Sequence, residues 1–155
     1  MFRLNRLTDY AVVVLTQMAK RPGALTSAQQ IADCGQLPLP TVAKLLNSLA
    51  RAGIVASHRG ATGGYSLGRS TGEITVADIV QALEGPIALT ACVEGAPDPC
   101  GVSSLCPMAG NWNKVNAAIR DALASVSLAD MVLPEGASFG VTGGPPIMSL
   151  GTPNA

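Results

Sequence analysis

Aromatic residues are scarce in this chain, with one tryptophan, two tyrosines and two phenylalanines among 155 residues. A core must therefore be built from Leu, Val, Ile and Ala. No apolar run approaches the roughly 18 residues of a membrane span, so no membrane partner is expected. The opening stretch Met1-Phe-Arg-Leu-Asn-Arg-Leu-Thr-Asp9 places charges where a secretion signal needs an apolar segment, and a cytoplasmic location is expected. No nucleophile–base motif and no phosphate-cradling P-loop is present, which argues against an enzyme and against a small-molecule substrate. No C-x-x-C pair is present either, which argues against a dithiol oxidoreductase.

Net charge is also absent, since ten basic residues balance ten acidic ones. The distribution is uneven. Residues 1–70 hold Arg3, Arg6, Lys20, Arg21, Lys44, Arg51, Arg59 and Arg69 against only Asp9 and Asp33, a net +6, and the remainder carries −6. Such asymmetry suggests that the first half faces an anionic polymer. The alternative is an uneven spread of solvated surface charge.

Along the chain, residues 8–20 read as a helix with Thr8 as its cap, apolar bulk from Tyr10, Val13, Val14 and Leu15, and a stop at Pro22-Gly23. Thr26-Ser27-Ala28-Gln29 has the pattern of a capping box, opening a short helix to about Cys34, with Gly35 supplying the turn. Pro40 suits the first position of a third helix. There Val42, Leu45, Leu46 and Leu49 make an apolar face, and Thr41, Lys44, Ser48 and Arg51 share the other side until Gly53. Two short helices joined by a turn, the second with a polar-basic outer face, predict a helix-turn-helix.

Residues 54–59 read as a strand, Gly60-Ala61-Thr62-Gly63-Gly64 as a turn, and Tyr65-Ser66-Leu67 as the returning strand. After a recognition helix such a hairpin reads as a wing, whose glycines let backbone approach a sugar-phosphate chain and whose Arg59 can reach a minor groove. An ordinary glycine-rich hairpin is the alternative. Thr75-Val76-Ala77-Asp78 opens another helix, carrying Ile79, Val80 and Leu83 to Gly85. Residues 86–107 lack periodicity and read as a loop. From Met108 to Val126 a longer helix is expected, with Trp112, Val115, Ile119, Ala122 and Val126 in a heptad-like seam suited to pairing with a second copy. Ser127-Leu128-Ala129-Asp130 starts one more turn. From Leu133 onward Gly and Pro make up nine of 23 residues, and a disordered tail is expected.

The expected fold is thus mainly α with a small β-hairpin wing. The expected division is 1–85 for the winged helix-turn-helix, 86–107 for a cysteine loop, 108–132 for a dimerisation helix and terminal turn, and 133–155 for the tail.

Cys92, Cys100 and Cys106 are spaced C-x7-C-x5-C. Their thiolates are soft ligands, suited to zinc or to an iron–sulfur cluster. Structural zinc more often uses a tight knuckle, and wide Gly/Pro-rich spacers suit the larger body of a cluster. Zinc, a cluster and unligated thiols all remain open on spacing. Cys34 is expected to be a buried small hydrophobe, and His58 a DNA-facing or surface residue. A small iron–sulfur electron carrier would explain the cysteines but leave the helix-turn-helix idle.

Taken together, these residues resemble the Rrf-two (Rrf2) family of winged-helix regulators over roughly residues 1–132. The carriers are Arg3-Leu4 with Thr8-Asp9-Tyr10-Ala11, the string Arg59-Gly-Ala-Thr-Gly-Gly-Tyr-Ser-Leu-Gly-Arg69, and the three cysteines followed by Trp112. Leu83 through Cys92 and Val126 through Met131 look most like the SUF-system regulators within the IscR, NsrR and RirA group. The resemblance implies a homodimer on an operator in double-stranded DNA, a 2Fe–2S or 4Fe–4S cluster on Cys92, Cys100 and Cys106, and control of cluster-assembly genes. The histidine that some members carry three residues past the last cysteine is Ala109 here. An aspartate near the start of the first helix, a ligand across the dimer in other members, matches Asp9. On DNA, the resemblance and the helix pattern together assign contacts to Thr26, Ser27, Thr41, Lys44, Ser48, Arg51, His58, Arg59, Gly60 and Tyr65. Ala43 lies in the family's base-reading region where IscR-type members have glutamate, so a different operator preference is expected.

Overall fold

Helix α1 (Arg6–Ala19) starts two residues before the position expected from Thr8, because Asn5 is the cap and its side chain accepts the Leu7 N–H at 3.1 Å. Thr8 is instead buried, and its hydroxyl donates to the Glu84 carboxylate on another helix. The structure, a computed structural model, describes residues 4–102, 105–108 and 110–132. Arg3, Ala109 and the tail expected to be disordered at 133–155 lie outside the described residues.

Helix α2 (Ala28–Gly35) has its capping box one residue later than predicted: Ser27 accepts from the Gln30 N–H, and the Gln30 side chain accepts from Ser27 N–H. Thr26 cannot cap because its backbone is already used, in a two-way bridge with Tyr65 (3.0 and 2.9 Å). The turn residue after α2 is Gln36, at φ 51°, rather than Gly35. Helix α3 (Leu39–Arg51) follows, with Pro40 inside its first turn, where a missing N–H costs nothing.

Strands β1 (Val55–His58) and β2 (Gly64–Leu67) pair antiparallel, Val55 with Leu67 through His58 with Gly64. Thr26 lies along β2 through its bridge to Tyr65. Gly64 is required there, since a Cβ would stand 2.9 Å from the Thr26 carbonyl oxygen. Gly64→Ala is expected to push Thr26 off β2 and to lower stability by about 1–3 kcal/mol, the usual cost of overpacking. A denaturation midpoint equal to the parent's would contradict this.

Helix α4 (Val76–Glu84) has the expected capping box between Thr75 and Asp78. Helix α5 (Asn111–Ala124) is shorter at both ends than the 108–126 expected. Gly110 stands left-handed at φ 80° before it, and Val126 has left the helix to accept the Val76 N–H at 2.9 Å. Helix α6 (Leu128–Met131) is one turn, capped by Ser127 and Asp130. The Ser127 hydroxyl and then its backbone N–H hold the Asp130 carboxyl below the usual aspartate range, against a smaller opposing effect of burial. The stability this gives is present above the unfolded aspartate's pKa and lost as pH falls through the lower folded value. Ser127→Ala is therefore expected to lower the melting temperature at neutral pH, with the gap narrowing in acid below the ordinary carboxylate range. A gap that widened in acid would be the wrong sign.

The core forms where α1, α3 and α4 meet. Val42, Leu45, Leu46 and Leu49 of α3 are all buried, as their spacing predicts, with Val14, Leu15, Ile31, Ile54, Ile74, Ile79 and Leu128. Each such side chain contributes roughly 1.5–3 kcal/mol by leaving water. Aliphatic residues supply nearly all of it, and Tyr65 packs on the margin. The result is a mainly helical protein with one two-stranded hairpin.

Candidate nucleic-acid interface and cysteine loop

With Val42, Leu45, Leu46 and Leu49 facing inward, α3 turns Lys44, Asn47 and Arg51 to solvent, with Thr41 and Ser48 half-buried beside them. Pro40, Ala43, Lys44, Asn47 and Arg51 line one shallow groove. Asn47 was not among the residues singled out from sequence, although its i+3 spacing from Lys44 puts it on the same face. Arg51 donates to the Ser48 hydroxyl at 3.3 Å, which draws its guanidinium along the helix.

The hairpin follows α3 in the chain. Arg59 and Gly60 are exposed at the tip, with Gly60 at φ 122°. His58 is exposed as expected, and its Nε2 lies 2.9 Å from the Ser66 hydroxyl across the strands. Tyr65 is half-buried, and its backbone ties the hairpin to Thr26 just before the Ser27 cap of α2. The structure therefore brings the wing to the start of α2, and β1 follows directly from the end of α3. Among the described residues the one ion pair is Arg69 with Asp78 at 3.4 Å. Lys44, Arg51 and Arg59 thus have no carboxylate partner among them, which leaves their charge available to phosphate.

The cysteine loop runs between α4 and α5. Cys92, Cys100 and Cys106 are half-buried. The Cys100 N–H donates to the Ala91 carbonyl at 2.9 Å, which draws the two sides of the loop together next to Cys92. The Cys92 thiol is pushed above its ordinary value, first by burial, then by its hydrogen bond with Cys100 and by the charges of Cys100 and Cys106. The Cys100–Ala91 bond sets the backbone of Cys100 beside that of Cys92, and Cys106 follows in the same loop. Even so, among the described residues no three His, Cys, Asp or Glu side chains stand in ligating geometry. The donor chemistry fits a thiophilic metal group, and holding one requires the loop to tighten.

Asp9 is exposed in the first turn of α1, in a cavity it shares with Asn5, Arg6, Val12, Val76 and Met131. Cys34 corrects the expectation of a buried small hydrophobe, because it is exposed on α2. The buried side of that short helix is taken by Ile31 and Ala32. On α5, Trp112 and Val115 of the predicted seam are 42% and 44% exposed, so within one subunit the seam is not covered. No described helix is long and apolar enough to cross a membrane.

A two-helix reading unit with a wing defines a winged helix-turn-helix protein. Comparison with known proteins narrows this. The Rrf2 family model, described as an iron-dependent transcriptional regulator, matches residues 4–134. The chain is similar to the solved structure of CymR, the global cysteine regulator of B. subtilis, at 31% identity with a TM-score of 0.64, covering 85% of this chain and 97% of that one. It is similar to IscR of T. potens at 31% identity and TM-score 0.60, covering 84% and 86%. The oxidised form of Staphylococcus aureus CymR matches at 26% identity and TM-score 0.61, covering 86% and 98%. The chain belongs to the Rrf2 family; it is a DNA-binding transcriptional regulator and not an enzyme.

Proposed function

We propose that this protein is a homodimeric repressor that senses iron–sulfur cluster supply and controls cluster-assembly genes of the SUF type. The observation that carries the reading is the presence of three half-buried cysteines, Cys92, Cys100 and Cys106, in one loop, with Cys100 bonded next to Cys92, in a family described as iron-dependent. In this reading residues 1–85 form the DNA-binding head, 86–107 the sensing loop and 108–132 the dimerisation segment. Cys92, Cys100 and Cys106 hold the cluster, with the partner subunit's Asp9 as a further ligand. A bound cluster supplies a group whose gain and loss report iron and oxidant levels.

The chain's own residues do the rest. Lys44 and Arg51 of α3, with Thr41 and Ser48, enter a major groove. Thr26 and Ser27 approach the phosphates at the start of α2. Arg59, flanked by His58 and Gly60 and backed by Tyr65, reaches into the adjacent minor groove. The exposed apolar residues of α5 pair with those of a second copy. A change in the loop then alters the angle between two reading heads, and operator affinity changes only as far as the two arrangements differ in affinity for DNA.

A second reading is a winged-helix repressor with zinc or bare redox thiols: among the described residues no ligating trio stands preformed for zinc or for a cluster, which leaves bare thiols as the rival that needs no rearrangement. Anaerobic purification with iron, sulfide and zinc analysis and an absorption spectrum separates them. Iron and sulfide in equal amounts with a visible chromophore support the cluster reading. Colourless protein with zinc alone, or with no metal after anaerobic reconstitution, sinks it.

A further inference from the structure

Helix α5 has a second face besides its apolar seam. Asn116 is a polar residue buried to 5% exposure, and both ends of its carboxamide are engaged. Its Oδ1 accepts the Leu89 N–H at 3.0 Å, and its Nδ2 donates to the Ile87 carbonyl at 2.9 Å. That pairing with a carbonyl and an amide two residues apart is what an adjacent parallel strand would offer. One turn earlier, Asn113 Oδ1 accepts the Glu94 N–H at 3.0 Å. Positions i and i+3 lie on one side of a helix, so the two asparagines act together.

Their backbone partners bracket Cys92, which follows Leu89 by three residues and precedes Glu94 by two. Cys100 is then tied to the residue before Cys92 through its bond to Ala91. An apolar residue at 116 would fill the same space without the desolvation that a buried carboxamide incurs. Packing alone therefore does not account for asparagine here, whereas fixing an irregular loop does.

We propose that Asn113 and Asn116 are positioning residues that clamp the cysteine loop to α5, fixing the backbone on both sides of Cys92 so that only a small tightening is left when a group binds, and linking the loop to the helix that carries the apolar seam. The purpose of the clamp rests on the cluster reading above; its geometry does not. Pre-set ligands lose less conformational freedom on binding, so the clamp raises the affinity of the loop for its group.

The test uses the full chain, cluster-free, with residue-resolved amide hydrogen exchange on the parent, Asn116→Leu and Asn113→Ala. Loss of each bond is expected to speed exchange about tenfold, at Leu89 for Asn116→Leu and at Glu94 for Asn113→Ala. The Leu15 amide in the α1 core is expected to stay as in the parent. Unchanged exchange at Leu89 and Glu94, or an equal rise at Leu15, overturns the proposal, the latter because it marks general destabilisation. If Asn116→Leu does not fold, Asn113→Ala decides alone, since it removes one bond from a half-buried side chain. In a second arm, parent and Asn113→Ala are reconstituted anaerobically with iron and sulfide and challenged with a chelator. Several-fold faster iron loss from the variant is expected, and equal rates count against the clamp. A parent that takes up no iron sinks the cluster reading, and the exchange arm then decides the clamp by itself.

Discussion

Replacing Lys44 and Arg59 together by alanine is expected to weaken operator binding by roughly a hundredfold, from about 1–2 kcal/mol at each contact. The two residues work from different elements, Lys44 from the exposed face of α3 and Arg59 from the tip of the wing. Neither has an acidic partner among the described residues, so neither loses an internal ion pair on truncation. Stability should therefore hold while affinity falls. Removing two phosphate contacts should also lower the salt slope of log affinity by about two, close to one per contact. Titration of a labelled duplex at several salt concentrations measures both. Metal content should be untouched, because neither side chain is a metal ligand. If affinity and slope stay at the parent's values, α3 and the wing are not the reading surface.

On the cluster reading proposed above, alanine at Cys92, Cys100 or Cys106 should abolish bound iron and sulfide, while Cys34→Ala should retain both. The contrast follows from placement. The three loop cysteines are half-buried between α4 and α5, and the fourth is exposed on α2. Removing one of three thiolates takes away a ligand that no nearby histidine can replace, since the only histidine, His58, lies in β1 of the wing. Metal and sulfide analysis after anaerobic reconstitution gives the answer for each variant. Full retention in Cys100→Ala would remove the loop as the holding site. Loss in Cys34→Ala would bring α2 into it.

Much of the fold was legible because its signals are local. The apolar residues of α3 repeat at helical spacing, and every one of them is buried. The Thr75–Asp78 box opens α4 where the sequence places it. What the sequence misplaced depends on distant partners. Thr8 looks like a cap until Glu84, 76 residues away, takes its hydroxyl. Thr26 looks like the first residue of a capping box until Tyr65 claims its backbone. Cys34 looks buried by residue type, but which side of a two-turn helix faces inward was settled by Ile31 and Ala32. The polar stripe of α3 and the wing tip could be read from spacing, and the cysteines from clustering. The asparagine tethers could not, since Asn116 meets backbone groups 27 and 29 residues away and side-chain amides leave no periodic trace.

The bridge between Thr26 and Tyr65 has a consequence for how an operator can be told from its neighbours. It joins the wing to the front of α2, the helix that leads into α3, so in the proposed complex the phosphate-facing end of α2 and the minor-groove arm move as one piece, like the jaw and beam of a caliper. In the dimer proposed above, a signal that changes target choice would act on the distance and tilt between two such calipers, which would make the spacing between half-sites the variable that regulation reads.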